Sequence, residues 1–287
     1  MSIGPTVRRR RLGSELRRLR EGHSFKLEDA AERLGLAPST LSRIETGKAP
    51  TRTAYLTTMF DMYGVVDPGQ RQALIDMARD GHRKGWWAVY DDVLPTGFDI
   101  YVGLEAEASA LRVFEDQVVH GLLQTEPYAR VVMSAVRTQQ SARQIDRAVE
   151  LRVQRQEALT REDPLKLWLI LNEAVIRRAV GGADVMHGQL AHLVKASEWP
   201  SVTLQVLPLS SGAHPALNGP FCILEFPERT DPDVVYTEGV AGHAYLERDS
   251  EVRACAEAFD LLRAAALSPA DSAEMIANMA EEITHKG

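Results

Sequence analysis

In the segment LAPSTLSRIETGK, residues 36–48, the adjacent hydroxyls of Ser39 and Thr40 and the guanidinium of Arg43 share one short stretch closed by a glycine. In a helix Leu41 and Ile44 share a face, because they lie three apart. Ser39, Thr40 and Arg43 point elsewhere. The chemistry they offer is recognition: hydroxyls that donate and accept, and a planar guanidinium with five N–H donors. A helix with so little apolar surface is not enclosed on all sides, so these groups face something outside their domain. Charge indicates the kind of partner. Residues 1–64 hold 12 Lys+Arg against 7 Asp+Glu, a balance of +5, while the remainder holds 21 against 33, a balance of −12. Such asymmetry directs the basic part toward a polyanion.

Spacings that carry catalysis are missing. Two zinc-binding histidines sit four apart in HExxH, on one helix face, with a glutamate beside the first. Here His187 and His192 are five apart with no glutamate between them, about 140° around a helix. There is no G-x-S-x-G and no GxxxxGK. His120, His214 and His243 stand alone and read as loop or core residues. No metal, no cofactor and no enzymatic activity is expected. The two cysteines, Cys222 and Cys255, form no CxxC, which fits reduced thiols in a cytoplasmic protein. No apolar run approaches the roughly 20 residues of a membrane span, and no apolar stretch follows the N-terminal arginines as in a signal peptide. At 45% hydrophobic residues the 287-residue chain is able to build a core and does not read as disordered.

The recognition residues need a scaffold. Leu12, Leu16 and Leu19 recur at helical spacing, and LEDAAERL, residues 27–34, repeats the pattern. Gly35 ends that helix, Pro38 suits the first turn of the next, and Gly47 stops it. A fourth helix opens near Thr51 or Thr53 and closes at Gly64, and residues 68–80 form a fifth that ends at Gly81. Two helices joined by a tight glycine-bearing turn make a helix-turn-helix, with Ala31 small at the crossing and Leu34, Leu41 and Ile44 as shared core.

Residues 12–64 resemble the Cro/C1-type (XRE-type) helix-turn-helix, whose recognition-helix signature reads like STLSRIETGK here. The resemblance implies that the second motif helix enters the major groove of double-stranded DNA. By position, Ser39, Thr40 and Arg43 face the bases, with Arg43 suited to guanine O6 and N7. The alternatives are a phosphate contact for Arg43 and helix capping for Ser39. Glu45 is expected in an internal ion pair. Arg17, Arg20, Lys48, Arg52 and Thr53 are the phosphate candidates. The run of residues 8–11 precedes the first helix, as an arm along DNA or a solubilising tail.

The joint between domains is expected after residue 81, giving a DNA-binding domain over 1–81 and a regulatory and dimerisation domain over 82–287. In the joint, Trp86 and Trp87 alternate sides along an extended chain, one to each domain, with ligand stacking as the other role. Beyond it the chain reads as α+β, mostly helix, with a small sheet. Helices are expected over 103–111, after the cap Thr125, over 142–159 with Ile145, Val149 and Val153 on one stripe, after residue 184, and over 250–266 and from 268 onward. Strands are expected from 111, and over 165–171, 202–208, 220–226 and 233–238. The segment SSGAHPALNGP carries His214 and Asn218 and is either a lid over a pocket or a long hairpin loop. Trp86, Trp87, His214 and Asn218 are the candidate ligand or partner residues. GWWAVYDDVLP, GLEAEASALRVFE, VHGLLQTEPYAR, VELRVQRQEAL, LQVLPLSSGAHPALNGPF and VVYTEG resemble, in order, the DUF5753 domain of actinobacterial regulators. That resemblance implies a transcription regulator of differentiation or secondary metabolism in Streptomyces-like bacteria; a homodimer is expected because one helix-turn-helix reads only a few base pairs. It also implies a small DUF397-like protein partner in an antitoxin-like arrangement, with an unknown small-molecule ligand as the alternative.

Overall fold

The computed structural model describes residues 7–81, 85–227 and 232–286. The chain divides into two compact units, Met1–Glu107 and Ala108–Gly287. The first holds six helices among its described residues: α1 Val7–Gly22, α2 Leu27–Arg33, α3 Pro38–Glu45, α4 Thr53–Met62, α5 Pro68–Gly81 and α6 Phe98–Glu107. Residues 82–84, next to the expected joint, lie outside the described residues. Compactness extends the first unit through α6, which packs on α1.

The apolar spacings of the sequence become one core. Leu12, Leu16 and Leu19 of α1 meet Ala30 and Ala31 of α2, Leu41 and Ile44 of α3, Leu56, Met59 and Phe60 of α4, and Leu74 and Ala78 of α5. Gly35 turns α2 into α3 with φ +64°, a left-handed conformation that side chains resist. Its N–H donates to Glu32 O, and Leu36 N–H donates to Ala31 O, which satisfies carbonyls at the helix end. The arginine run does not form an arm. Residues 8–11 lie inside α1, and Arg9 and Arg10 are buried. Burial lowers the Arg9 pKa, and Asp99 and Glu107 of α6 oppose that shift.

Gly13 sets the approach of α1 to α3. A Cβ there would lie 2.5 Å from Ile44 O and 2.6 Å from Glu45 O, both backbone atoms. Alanine normally favours a helix interior over glycine by about 1 kcal/mol. Gly13→Ala is nevertheless expected to destabilise the first unit by about 1–3 kcal/mol, because the contacted backbone must shift. Denaturant titration checks this, and a variant as stable as the parent would remove the close α1–α3 contact.

The second unit is a six-stranded mixed sheet with helices. The strands are β1 Ala110–Glu115, β2 Lys166–Asn172, β3 Val202–Leu207, β4 Phe221–Glu225, β5 Val234–Gly239 and β6 Gly242–Leu246, in the order β3-β2-β1-β4-β5-β6. β1, β2 and β3 run parallel, while β4, β5 and β6 add antiparallel neighbours. The parallel strands are joined through α7 Glu126–Val136 and α8 Ala142–Gln156, then through α9 Glu173–Arg177 and α10 Ala183–Ala196, as parallel pairs require long crossovers. α11 Asp249–Ala265 and α12 Pro269–Lys286 close the chain. One sheet face, with Phe114, Ile170, Ile223 and Val235, packs on Phe259 and Leu262 of α11.

Three local expectations are corrected. The helix expected over 103–111 ends at Glu107, and β1 starts at Ala110 because Leu111 pairs with both Leu167 and Leu224 at the sheet centre. β6 was not expected; its residues are only part-buried, so no apolar alternation marks it. On α8, Ile145 and Val149 are buried but Val153 is exposed, and the inward stripe continues through Arg155. Thr125 takes the N-cap position of α7, though its side chain makes no cap hydrogen bond.

Candidate nucleic-acid interface

α3 packs on α1 and α2 and buries Leu41 and Ile44. That leaves the opposite side to the recognition residues. Ser39 and Arg43 are exposed and Thr40 is half-buried. Ala37 occupies the N-cap with no side-chain bond, and Ser39 lies inside the helix, so Ser39 is not the cap. Among the described residues, Arg43 has no ion-pair partner. Lys48 and Arg52, between α3 and α4, are likewise exposed and without ion pairs among the described residues. Thr53 opens α4, whose N-terminus has no side-chain cap; its first N–H groups are free to meet an anion.

Arg17 and Arg20 differ in fate. Arg17 is exposed and pairs with Glu21 at 2.8 Å, a surface bond that contributes little. Arg20 is corrected from phosphate contact to core. Its guanidinium donates to both Glu45 oxygens, at 2.7 and 2.9 Å, and to Phe25 O at 2.7 Å. The two side chains are 8% and 4% exposed. This is the internal pair expected for Glu45, and it ties the end of α3 to α1.

The four ligand or partner candidates fall in different units. Trp86 and Trp87 lie in one 3-10 turn of the first unit, not along an extended chain, and meet edge to face at 6.0 Å. Trp87 packs against Gly103 of α6. In the second unit, His214 lies edge-on to Phe114 at 5.4 Å, and Asn218 is exposed.

A different group of polar side chains, not foreseen from the sequence, lies near the carboxyl ends of β1 and β5. Strand register aligns Val113, Cys222, Tyr236 and Tyr245 in one row. Glu115 and Glu238 stand two residues further along, and His243 pairs with Glu238, so all share a face. Arg152 and Arg155 of α8, and Arg137 at the end of α7, interact electrostatically with this row. Burial pushes Glu115 up to about 8, helped by Asp116 and Glu238 against Arg152. Burial, then Arg155 and Arg152, push His120 down to about 3. Its Nδ1 accepts from Leu122 N–H, as a neutral ring can. The signal in the sequence was on α8, where arginines sit at the spacing of its buried stripe.

These shifts set opposite pH limbs. A free carboxyl of this type titrates near 4.3 and a free histidine near 6.5. Folded Glu115 keeps its proton where the unfolded chain has lost it, so its contribution falls as pH rises from roughly 4.5 to about 8. Folded His120 refuses a proton that the unfolded chain takes, so stability is lost as pH falls from roughly 6.5 toward about 3. Glu115→Gln is expected to remove the first limb and raise the melting temperature relative to the parent at pH 8. Melting curves across pH check it; parallel profiles for the two proteins would contradict a carboxyl that keeps its proton in the folded chain.

The first unit thus carries a helix-turn-helix with an outward polar recognition face, the arrangement of a DNA-binding regulator. A family model described as a helix-turn-helix domain matches residues 11–74. A second, for a domain of unknown function, DUF5753, matches residues 98–278, and the chain belongs to this DUF5753 family. A search of curated proteins and a search of solved structures each returned no match. Among the described residues no helix is long and apolar enough to cross a membrane.

Proposed function

We propose that the chain is a sequence-specific transcription regulator of the XRE type that binds double-stranded DNA as a homodimer. α3 enters the major groove, with Ser39, Thr40 and Arg43 toward the bases and Lys48, Arg52 and Thr53 toward phosphates. The observation that carries this reading is Arg43, exposed and without an ion pair among the described residues, on a helix whose packing belongs to Leu41 and Ile44. One such motif reads only a few base pairs, so two heads on a pseudo-palindrome supply useful specificity. The acidic second unit repels DNA, and its role is to hold the dimer and receive a signal by binding, without catalysis of its own. Resemblance to actinobacterial regulators of differentiation and secondary metabolism supports a small DUF397-like protein as that signal, in a cytoplasmic, nucleoid-bound system.

The full chain is expected to sediment as a dimer at micromolar concentration and to protect two half-sites about one helical turn apart. A monomer bound to a single half-site would overturn the dimer. Titrating in a small DUF397-like protein should change operator affinity, which requires different affinities for the free and DNA-bound forms. A partner that binds and leaves operator affinity unchanged would overturn the switch.

A further inference from the structure

The DUF5753 match begins at α6, yet α6 packs into the first unit. From this we infer that α6 positions the recognition helix through α1, so that operator binding and the state of the second unit depend on each other. The inference rests on the DNA-binding reading and gives it a route of control.

The family match starts at residue 98, and α6 starts at Phe98. By sequence the helix goes with the second unit, whereas by compactness it goes with the first. Tyr101, Val102, Gly103, Leu104 and Glu105 are all buried. Five consecutive residues span more than one helical turn, so α6 keeps no solvent face there. It packs on α1 and on the 3-10 turn of residues 86–90. A Cβ on Gly103 would lie 3.0 Å from Trp87 Cζ2.

The start of α1 meets α6 and the end of α3. Asp99 and Glu107, in the first and last turns of α6, both act on the buried Arg9 of α1. Its neighbour Arg10 lies against Gly47, the residue that stops α3. A Cβ on Gly47 would be 2.8 Å from both N and Cα of Arg10. One turn further along α1, Gly13 makes the close approach to the Ile44 and Glu45 carbonyls. Both contacts set backbone against backbone, with no side chain to absorb a displacement. A shift at residues 9–13 therefore carries the end of α3 with it.

The far end of α6 is tied to the sheet. One residue, the buried Ala108, separates Glu107 from Ser109. Ser109 N–H donates to Glu225 O at 2.9 Å, and Ser109 O accepts from Lys166 N–H at 3.1 Å. Ser109 is thus fastened to β4 on one side and β2 on the other. A one-residue connection has little slack, so a rearrangement of β1 and its neighbours pulls on α6. An effector of the second unit then acts on DNA binding if it prefers one arrangement of this chain of contacts.

The test uses the full chain, an operator duplex selected from a random pool, and the double variant Asp99→Asn with Glu107→Gln. The variant alters α6 and leaves the DNA-facing side chains untouched. By charge alone, losing two negative groups from the first unit would tighten DNA binding. The inference predicts the opposite: operator affinity weaker by about fivefold or more, with affinity for random-sequence DNA no weaker than the parent's. Coupling is reciprocal, so saturating operator should also slow amide exchange across Ala110–Glu115 and Phe221–Glu225 in the parent, and the variant should lose that response. Operator binding by the variant as tight as the parent's, or tighter, would overturn the inference. Weaker binding with the exchange response kept would also overturn it, because α6 would then support the first unit without linking it to the second. A parent that binds operator with no exchange response in these strands would do the same. A parent that binds no duplex would overturn the DNA-binding reading, and this inference with it.

Discussion

Glu45→Ala is expected to destabilise the first unit by about 3–5 kcal/mol, because removing one member of a buried ion pair leaves the other charge enclosed. Arg20 would keep the Phe25 carbonyl and a 3.3 Å contact to Glu21, but lose both bonds to its main counterion. The pair spans α1 and the last residue of α3, so its loss also loosens the recognition helix. Arg20→Ala should behave alike. The double replacement Arg20→Met with Glu45→Leu should recover much of the loss, since a well-packed apolar pair often equals a buried ionic one. Urea titrations of the three variants measure this. A single-variant loss under about 1 kcal/mol, the size expected of a surface pair, would show that the pair is not buried.

The second large effect is on binding, not folding. Arg43→Ala is expected to weaken specific operator binding by about 1–3 kcal/mol and to relax preference at one base pair, while the melting temperature stays near that of the parent. The side chain carries no packing or ion pairing that folding needs. Lys48→Ala provides the contrast: it should weaken binding to all sequences alike and reduce the salt slope by about 1. Equal operator affinity in Arg43→Ala and the parent would remove Arg43 from base reading, and an unfolded variant would mean that its face is buried.

The helical unit was legible because its signals are local. Leu41 and Ile44, Gly35 and Pro38 each state a turn, a cap or a face within a few residues, and all agree. Arg20 shows the limit. Nothing near it in sequence tells whether a helix-borne arginine reaches outward or across to a carboxylate 25 residues away. The second unit was less legible, since its sheet is assembled from strands far apart in the chain. The start of β1 has local helical spacing, and its pairing partners, Leu167 and Leu224, lie more than fifty residues downstream. β6 stayed hidden because a part-buried edge strand needs no apolar alternation. The polar group around Arg152 is hidden for a related reason: apolar spacing carries the α8 stripe through Val153, whereas the helix turns Arg155 inward. His214 and Trp86 drew attention as unusual side chains, but side-chain type does not report which groups a sheet brings together.

Selection of bound duplexes from a randomised pool by the full-length chain tests most directly whether α3 reads DNA. The expected result is an enriched motif of two related half-sites, with one guanine whose enrichment disappears in Arg43→Ala while the rest of the motif persists. A pool that stays random under the parent chain, or a motif unchanged in every position by Arg43→Ala together with Ser39→Ala and Thr40→Ala, would contradict recognition through this helix.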